Sequence, residues 1–389
     1  MRILKQLTGG AVALVLCASV ARSSTIGSVY NHAADVNAAC FFRAPDKTTY
    51  VSTGDIDAMW LRDSSVQAMS YLSDRSLVRG VIARQERLLA LDPYANAFTR
   101  DYRVAERKFE IDSLCYPIHL VDRYVGATND TSVFDSRLYA AMHVILNVFA
   151  IEQRHADRSV YHQNERKAAS DIGLIWSAYR PSDDRQLYNY NIPENIFAAV
   201  TLRSMANTFS TRYHNDHDAN RATAMADSIE NAIAKDAIFK TRHGRLYAYE
   251  IDGLGNAKFM DDANVPSLLS MPLLGYPYDH DAYAATRRFI LSSANPYYFR
   301  GRFASGVGSA HTPANYIWPM SLVVQYRTAS DSEERGSILK ELAGSGAGDG
   351  ALHESFDAND PRRFTRSRFG WVNALFEQTF LMNSVAEGN

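Results

Sequence analysis

Six clusters of charged and aromatic residues, each placed just before a helical pattern, constrain this chain more than any other feature of its sequence. They are Thr53–Ser64, Glu110–Ser113, Arg180–Asn195, Met260–Ser267, Ser309–Trp318 and His353–Trp371. They recur about every 50 to 80 residues, the length of two helices with their loops. The strings themselves differ, so the regularity is one of architecture. Between the clusters the apolar period is helical. The clearest run predicts a helix over Asp135–His155, where Leu138, Met142, Ile145 and Phe149 fall at steps of four, three and four behind an Asp135 cap. Similar spacing predicts helices over Ser76–Leu91, Pro193–Tyr213 and Asn220–Phe239. Strand signals reduce to one hairpin, Arg245–Asp252 and Asn256–Met260, about a Gly253-Leu254-Gly255 turn. Six helices whose N-terminal ends carry the polar residues fit an all-α ring of six inner and six outer helices, with the inner N-termini on one rim. That rim collects the positive ends of the helix dipoles, which favour ionised carboxylates.

The chain has 389 residues, 46% of them hydrophobic, enough to bury a large core. No Pro/Gly/Ser-rich linker divides it, and the glycine-rich stretch Gly344–Gly350 is too short to separate domains, so residues 22–389 read as one domain. A net charge of -2, with Lys and Arg scattered, lacks the basic stripe of a nucleic-acid binder and points to a neutral partner. Residues 1–21 read as an export signal: Arg2 and Lys5 precede the apolar run Gly9–Val20, with Ser19 and Ala21 placed for cleavage near Ala21. The expected destination is the periplasm or the exterior. That run is too short for a hydrocarbon core of roughly 30 Å, and no later stretch is long and apolar enough to predict a membrane span. Cys17 falls inside the run, which leaves Cys40 and Cys115, too few for a disulfide framework or a zinc site.

The densest chemistry is Thr53-Gly54-Asp55-Ile56-Asp57-Ala58-Met59-Trp60-Leu61-Arg62-Asp63-Ser64. Entering a helix at Asp63 or Ser64, it lets Arg62 and Asp63 grip adjacent hydroxyls with Trp60 beside them; the plainer reading is a helix cap with an Arg–Asp ion pair. The second constellation is Arg180-Pro181-Ser182-Asp183-Asp184, followed by Tyr188-Asn189-Tyr190-Asn191. Adjacent carboxylates can raise one another's pKa by repulsion, as a general acid requires, although acidic pairs in loops are ordinarily just solvated. The third is His353-Glu354-Ser355-Phe356-Asp357, far along the chain. Hydrolysis of a glycoside with inversion needs one carboxylic acid and one carboxylate base, with a water between.

The strings TGDIDAMWLRDS, DPYANAF, ERKFEIDSLCYP, RPSDD with YNIPEN, MDDANVPSLL, IWPMS, and HESFD with FTR and WVNALF resemble glycoside hydrolase family 125, in order, from about Tyr50 to Phe380. The resemblance implies an (α/α)6 barrel and exo-acting, inverting, metal-free hydrolysis of terminal α-1,6-linked mannose on a glycan, without a cofactor. It maps the acid to Asp183 or Asp184, with Asp183 favoured, and the base to Glu354. Arg62 and Asp63 resemble the pair that holds the terminal sugar. Asp55, Trp60, Glu110, Asp112, Asn191, His311 and Arg366 are the remaining candidates for binding substrate. Family members carry a longer, helix-bearing segment before the TGDI motif that is not evident between Thr25 and Tyr50, which implies a shortened or replaced first barrel helix here.

Three other readings compete. Asp261-Asp262 before a helix would suit a divalent metal in an all-α isoprenoid enzyme, although no second acid-rich helix accompanies it. Another (α/α)6 glycosidase or a polysaccharide lyase, or a sugar-binding helical protein without turnover, would share the same layout.

Overall fold

The computed structural model describes residues 26–165, 169–346 and 350–386; the expected export signal and Cys17 lie outside the described residues. Twelve α-helices are described. In chain order they are α1 (residues 26–38), α2 (Leu61–Ala68), α3 (Arg75–Leu91), α4 (Asp112–Thr128), α5 (Ser136–Glu152), the single turn α6 (His155–Arg158), α7 (Ile192–Thr211), α8 (Asp216–Asp236), α9 (His280–Ile290), α10 (Pro319–Thr328), α11 (Ser332–Ser345) and α12 (Gly370–Ala386). The predicted helices are recovered with small changes at their ends. Asp135 caps α5, accepting from the backbone N–H of Arg137 and Leu138 at 2.9 and 3.1 Å. Asn191 caps α7 ahead of Pro193, and Asp74 caps α3.

Inner and outer helices alternate along the chain. α2 packs against α4 and α12, α4 against α7, and α10 against α12, forming the inner ring. Outside it, α3 packs on α5, α8 on α7, and α11 on α10. The fourth inner position is not an α-helix. The Met260–Ser267 cluster leads only into a 3-10 turn, Met271–Leu273, which packs against α10. Helix α1 occupies the stretch read as lacking a helix, and it closes the ring: Asn37 donates to Glu377 of α12 at 3.0 Å and to the Gln67 carbonyl of α2 at 3.3 Å. Buried apolar side chains from Val29 to Phe376 form one continuous cluster.

Among the described residues, six small antiparallel sheets decorate this (α/α)6 ring, more strand than the one hairpin expected. The predicted hairpin divides between two of them. Gly244–Tyr247 pairs with Ile238–Thr241, whereas Glu250–Ile251 pairs with Ala257–Lys258 and also with Tyr190–Asn191. A run that alternates well enough for one strand thus breaks at Ala248-Tyr249, where the Tyr249 carbonyl instead accepts from the Ile192 N–H that opens α7. Near the inner N-termini the two ends of the described chain are stitched together. Gly54 bridges Phe369, the Asp55 N–H meets the Arg368 carbonyl, and the Gly370 N–H meets the Thr53 carbonyl. Gly54 sits at φ +108°, and a Cβ there would come within 2.4 Å of the Arg368 carbonyl oxygen, so this seam requires glycine.

Candidate active site

A cavity of about 330 Å³ opens at the inner N-terminal rim. Its size falls within the range of small-molecule pockets. Of the residues singled out from sequence, Trp60, Arg62, Asp63, Asp183, His311, Glu354 and Arg366 line it. Asp55 stands behind Arg366, whose Nε and Nη2 lie 2.8 and 2.6 Å from Asp55 Oδ1. Asp184 turns aside toward Ser182 Oγ at 2.9 Å and His311 Nδ1 at 3.6 Å. Glu110, Asp112 and Asn191 do not border the cavity.

Asp183 projects from a short hairpin. Tyr179 bridges Arg185, the Arg180 N–H donates to the Asp184 carbonyl, and the Asp183 N–H donates to the Arg180 carbonyl. The hairpin is tethered by Arg180 Nε to the buried Glu250 at 2.6 Å. Asp183 itself takes the left-handed conformation, φ +64°, and Arg366 does so at φ +46°. Such backbone is tolerated by aspartate but costs about 1 to 3 kcal/mol in general, and it recurs at functional sites. Glu354 lies on another segment, immediately before the strand Ser355–Asp357, which pairs on one side with Tyr316–Ile317 and on the other with Asp360–Thr365.

Arg62 is the hub. It is buried, its Nη1 lies 2.9 Å from Glu110 and 3.3 Å from Asp112, its Nε 3.4 Å from Asp63, and its Nη2 3.7 Å from Asp183. The Trp371 ring lies 4.6 Å from its guanidinium. Four carboxylates around one cation cannot all be ionised in a buried site, so protons must be held there. Burial raises the pKa of Glu110 well above the ordinary carboxylate range, and the negative charge of Asp183 adds to the rise. For Asp183, burial acts upward, but the hydrogen bond from Glu110, with the charges of Arg62, Lys108 and His311, outweighs it and holds the group low. The proton that this pair shares therefore resides on Glu110. The repulsion expected between the sequence neighbours Asp183 and Asp184 is not what sets it, because Asp184 has turned to His311. A second pair repeats the device: Asp112 and Glu194 are both raised by burial. Glu194, in the first turn of α7, also accepts from the Ile111 N–H at 3.0 Å, capping the neighbouring helix α4.

Asp63 is not a helix cap. It accepts from Thr53 Oγ1 at 2.5 Å, and α2 opens at Leu61 behind Trp60 with no side-chain cap. Burial also pushes Glu354 up, and Arg366, with Nη1 3.8 Å away, pulls it only partly back. His311 is raised, first by its hydrogen bond to Asp184 and further by the charges of Glu354 and Asp183.

Thr53, Asn264, Trp318, Phe369 and Trp371 also line the cavity; sequence reading placed them within the polar clusters but named none of them as a site residue. A signal existed for the tryptophans. Trp60 and Trp318 each immediately precede an inner helix, and Trp371 is the second residue of another. Asp261 and Asp262 offer no metal site. Asp261 accepts from the backbone N–H of Leu268 and Leu269, both at 2.9 Å, and Asp262 accepts from Asn264 and Ser309. Cys40 and Cys115 are free and buried.

The family model described as metal-independent alpha-mannosidase (GH125) matches residues 23–381. The "Meiotically up-regulated gene 157 protein" of Schizosaccharomyces pombe is 36% identical over 388 residues, covering 86% of this chain and 76% of that protein. A Streptococcus pneumoniae metal-independent alpha mannosidase, solved in a non-productive substrate complex with alpha-1,6-mannobiose, matches with a TM-score of 0.88 and 36% identity over 96% of this chain and 98% of that one. A GH78 rhamnosidase of Bacillus sp. GL1 shares the fold alone, with a TM-score of 0.61 at 14% identity over 93% of this chain and 35% of that one.

Proposed function

This chain belongs to GH125, the metal-independent alpha-mannosidase family, and from that membership we propose that it releases terminal mannose from the non-reducing end of α-1,6-mannosylated glycans with inversion. The observation that carries the proposal is that Asp183 and Glu354, on segments far apart in the chain, line one cavity with Arg62 and Asp63. Asp183 passes to the departing glycosidic oxygen the proton that Glu110 holds against it, so that Glu110 ends ionised as the glycosidic bond breaks. Glu354 takes a proton from the water that attacks C1 from the opposite face, giving β-mannose. Asp183 is favoured over Asp184 because it borders the cavity, whereas Asp184 is engaged by His311 and Ser182. Trp60 and Trp371, whose indole N–H groups are buried without a hydrogen-bond partner, are suited to stack on a sugar face and to donate to its hydroxyls. The α-1,6 linkage is supported by the ligand of the pneumococcal relative. Arg2, Lys5 and the apolar run after them support export with cleavage near Ala21. No helix among the described residues is long and apolar enough to cross a membrane.

The test is an assay on linkage-defined mannobioses with the released anomer followed by NMR. The 1,6-linked isomer should be cleaved first and β-mannose should appear before mutarotation; initial α-mannose would refute inversion. Glu354→Gln should lose at least about 10²-fold in kcat while still binding mannose. Near-wild-type turnover in that variant would remove Glu354 from the scheme.

A further inference from the structure

Away from the cavity, the stretch between α5 and the Asp183 hairpin gathers a second cluster. Ligand-type atoms of His155, His162 and Glu165 all lie within 4.8 Å of one another. Glu165 Oε1 stands 3.0 Å from His155 Nε2 and 2.7 Å from His162 Nδ1. Behind them His155 is held rigidly. Its Nδ1 lies 2.5 Å from Oε2 of the fully buried Glu152, whose Oε1 accepts from Tyr94 Oη at 2.7 Å and Ser159 Oγ at 2.6 Å. Its ring stacks on Trp176 with centroids 3.6 Å apart and planes 10° apart.

Glu152 fixes the tautomer. An ionised carboxylate only accepts, so Nδ1 of His155 carries the hydrogen, and in the neutral ring Nε2 presents a lone pair. That lone pair faces the Glu165 carboxylate, so two acceptors meet there unless a proton or a cation lies between them. A carboxylate behind a histidine, fixing its orientation and raising its basicity, is the outer shell that metal-binding histidines almost always have. Two imidazole nitrogens and one carboxylate oxygen form a donor set suited to a borderline divalent cation with a fourth, water-filled position.

We propose that His155, His162 and Glu165 bind a divalent cation of the zinc type at a site separate from catalysis. Tetrahedral ligands at about 2.0 to 2.2 Å stand roughly 3.3 to 3.5 Å apart, so the 2.7 and 3.0 Å pairs open by about half an ångström on binding. None of the three residues lines the sugar cavity. The ion ties the exposed His162–Glu165 stretch to His155 and Trp176 at the base of the acid-bearing hairpin. Its role is to fix that segment, and hydrolysis proceeds without it.

The experiment is calorimetric titration of zinc chloride into chelator-treated full-length protein, with thermal denaturation followed in parallel. One equivalent should bind with a Kd in the micromolar range or tighter and raise Tm. His162→Ala alters a side chain 66% exposed, which folding does not depend on, and should abolish that binding event. Glu152→Gln removes no ligand and should weaken it 10- to 100-fold. Absence of binding up to millimolar zinc, or binding that His162→Ala leaves unchanged, would overturn the site and leave a hydrogen-bonded His–Glu cluster. Mannosidase turnover should be equal with and without zinc, so this result and the mannobiose assay fail independently.

Discussion

The decisive residues are those that decide where one proton sits. Asp183 borders the cavity but is held ionised, and Glu110, sealed beneath it, keeps the proton. Glutamine at 110 would retain a donor to Asp183 and abolish the store. Glu110→Gln should therefore cost roughly 10²-fold in kcat on mannosides with poor leaving groups, yet little on activated aryl mannosides that depart without acid assistance. Equal loss on both would mean that Glu110 only holds structure. Across the cavity the sign runs differently. As the proposed base, Glu354 must be ionised to act; burial raises its pKa, and the Arg366 cation opposes that rise. Removing the cation by Arg366→Met should raise the Glu354 pKa further, so the acidic limb of kcat/KM should move to higher pH. An unmoved or lowered limb would separate Arg366 from the base. Sequence named all four groups, but it assigned Glu110 a place on the substrate. A glutamate just ahead of a helix reads the same whether it faces a cavity or lies beneath one, and only the packing around Arg62 distinguishes them.

Among the elements, α7 and α12 share a device that sequence reading passed over. The fourth residue of each is a buried asparagine that clamps the incoming chain as a neighbouring strand would. Asn195 exchanges both hydrogen bonds with the Ile175 backbone, at 2.7 and 3.0 Å, and Asn373 does so with Leu352, at 3.2 and 2.7 Å. Leu352 stands two residues before Glu354, so α12 holds the segment of the proposed base in position through one side chain. Asn373→Ala would strand two buried backbone groups and should destabilise the protein by about 2 to 4 kcal/mol. It should also lower kcat at least about 10-fold at temperatures where the fold persists, since small misplacements of a reacting group are costly. Full turnover in the folded variant would show that Glu354 is placed by other contacts. These asparagines stand in strings that carry the family resemblance, YNIPEN and WVNALF, but an asparagine near a helix start looks like a cap. The helices themselves were legible because apolar period and caps agree, whereas the two- and three-residue strands were not, since a strand that short has no period.

On the scale of the molecule, the spacing of the polar clusters foretold the ring, and five of the six do abut an inner α-helix. The exception, where only a 3-10 turn forms, follows a segment rich in proline and small residues (Val265-Pro266-Ser267) that favours turns. The first helix was missed because residues 26–38 carry a weak apolar stripe beside the expected export signal. One continuous core and an α1–α12 seam imply that rim and ring melt together. Three of the four tryptophans, Trp60, Trp318 and Trp371, line the cavity, so fluorescence reports mainly the site end while far-ultraviolet circular dichroism reports the whole helical ring. The two melting curves should coincide. A fluorescence transition several degrees below the other would show that the rim unfolds as a separate unit.

The stitching of Thr53–Asp55 to Arg368–Gly370 has a consequence for biosynthesis. A ribosome that has delivered Arg62 and Asp183 has made one wall of the cavity, with the proposed acid, but the other residues of its lining, Glu354, Arg366 and Trp371 among them, are still to come. A nascent polypeptide therefore stays inert toward sugar until the start of α12 emerges, and products of translation interrupted before that point should have neither affinity nor activity.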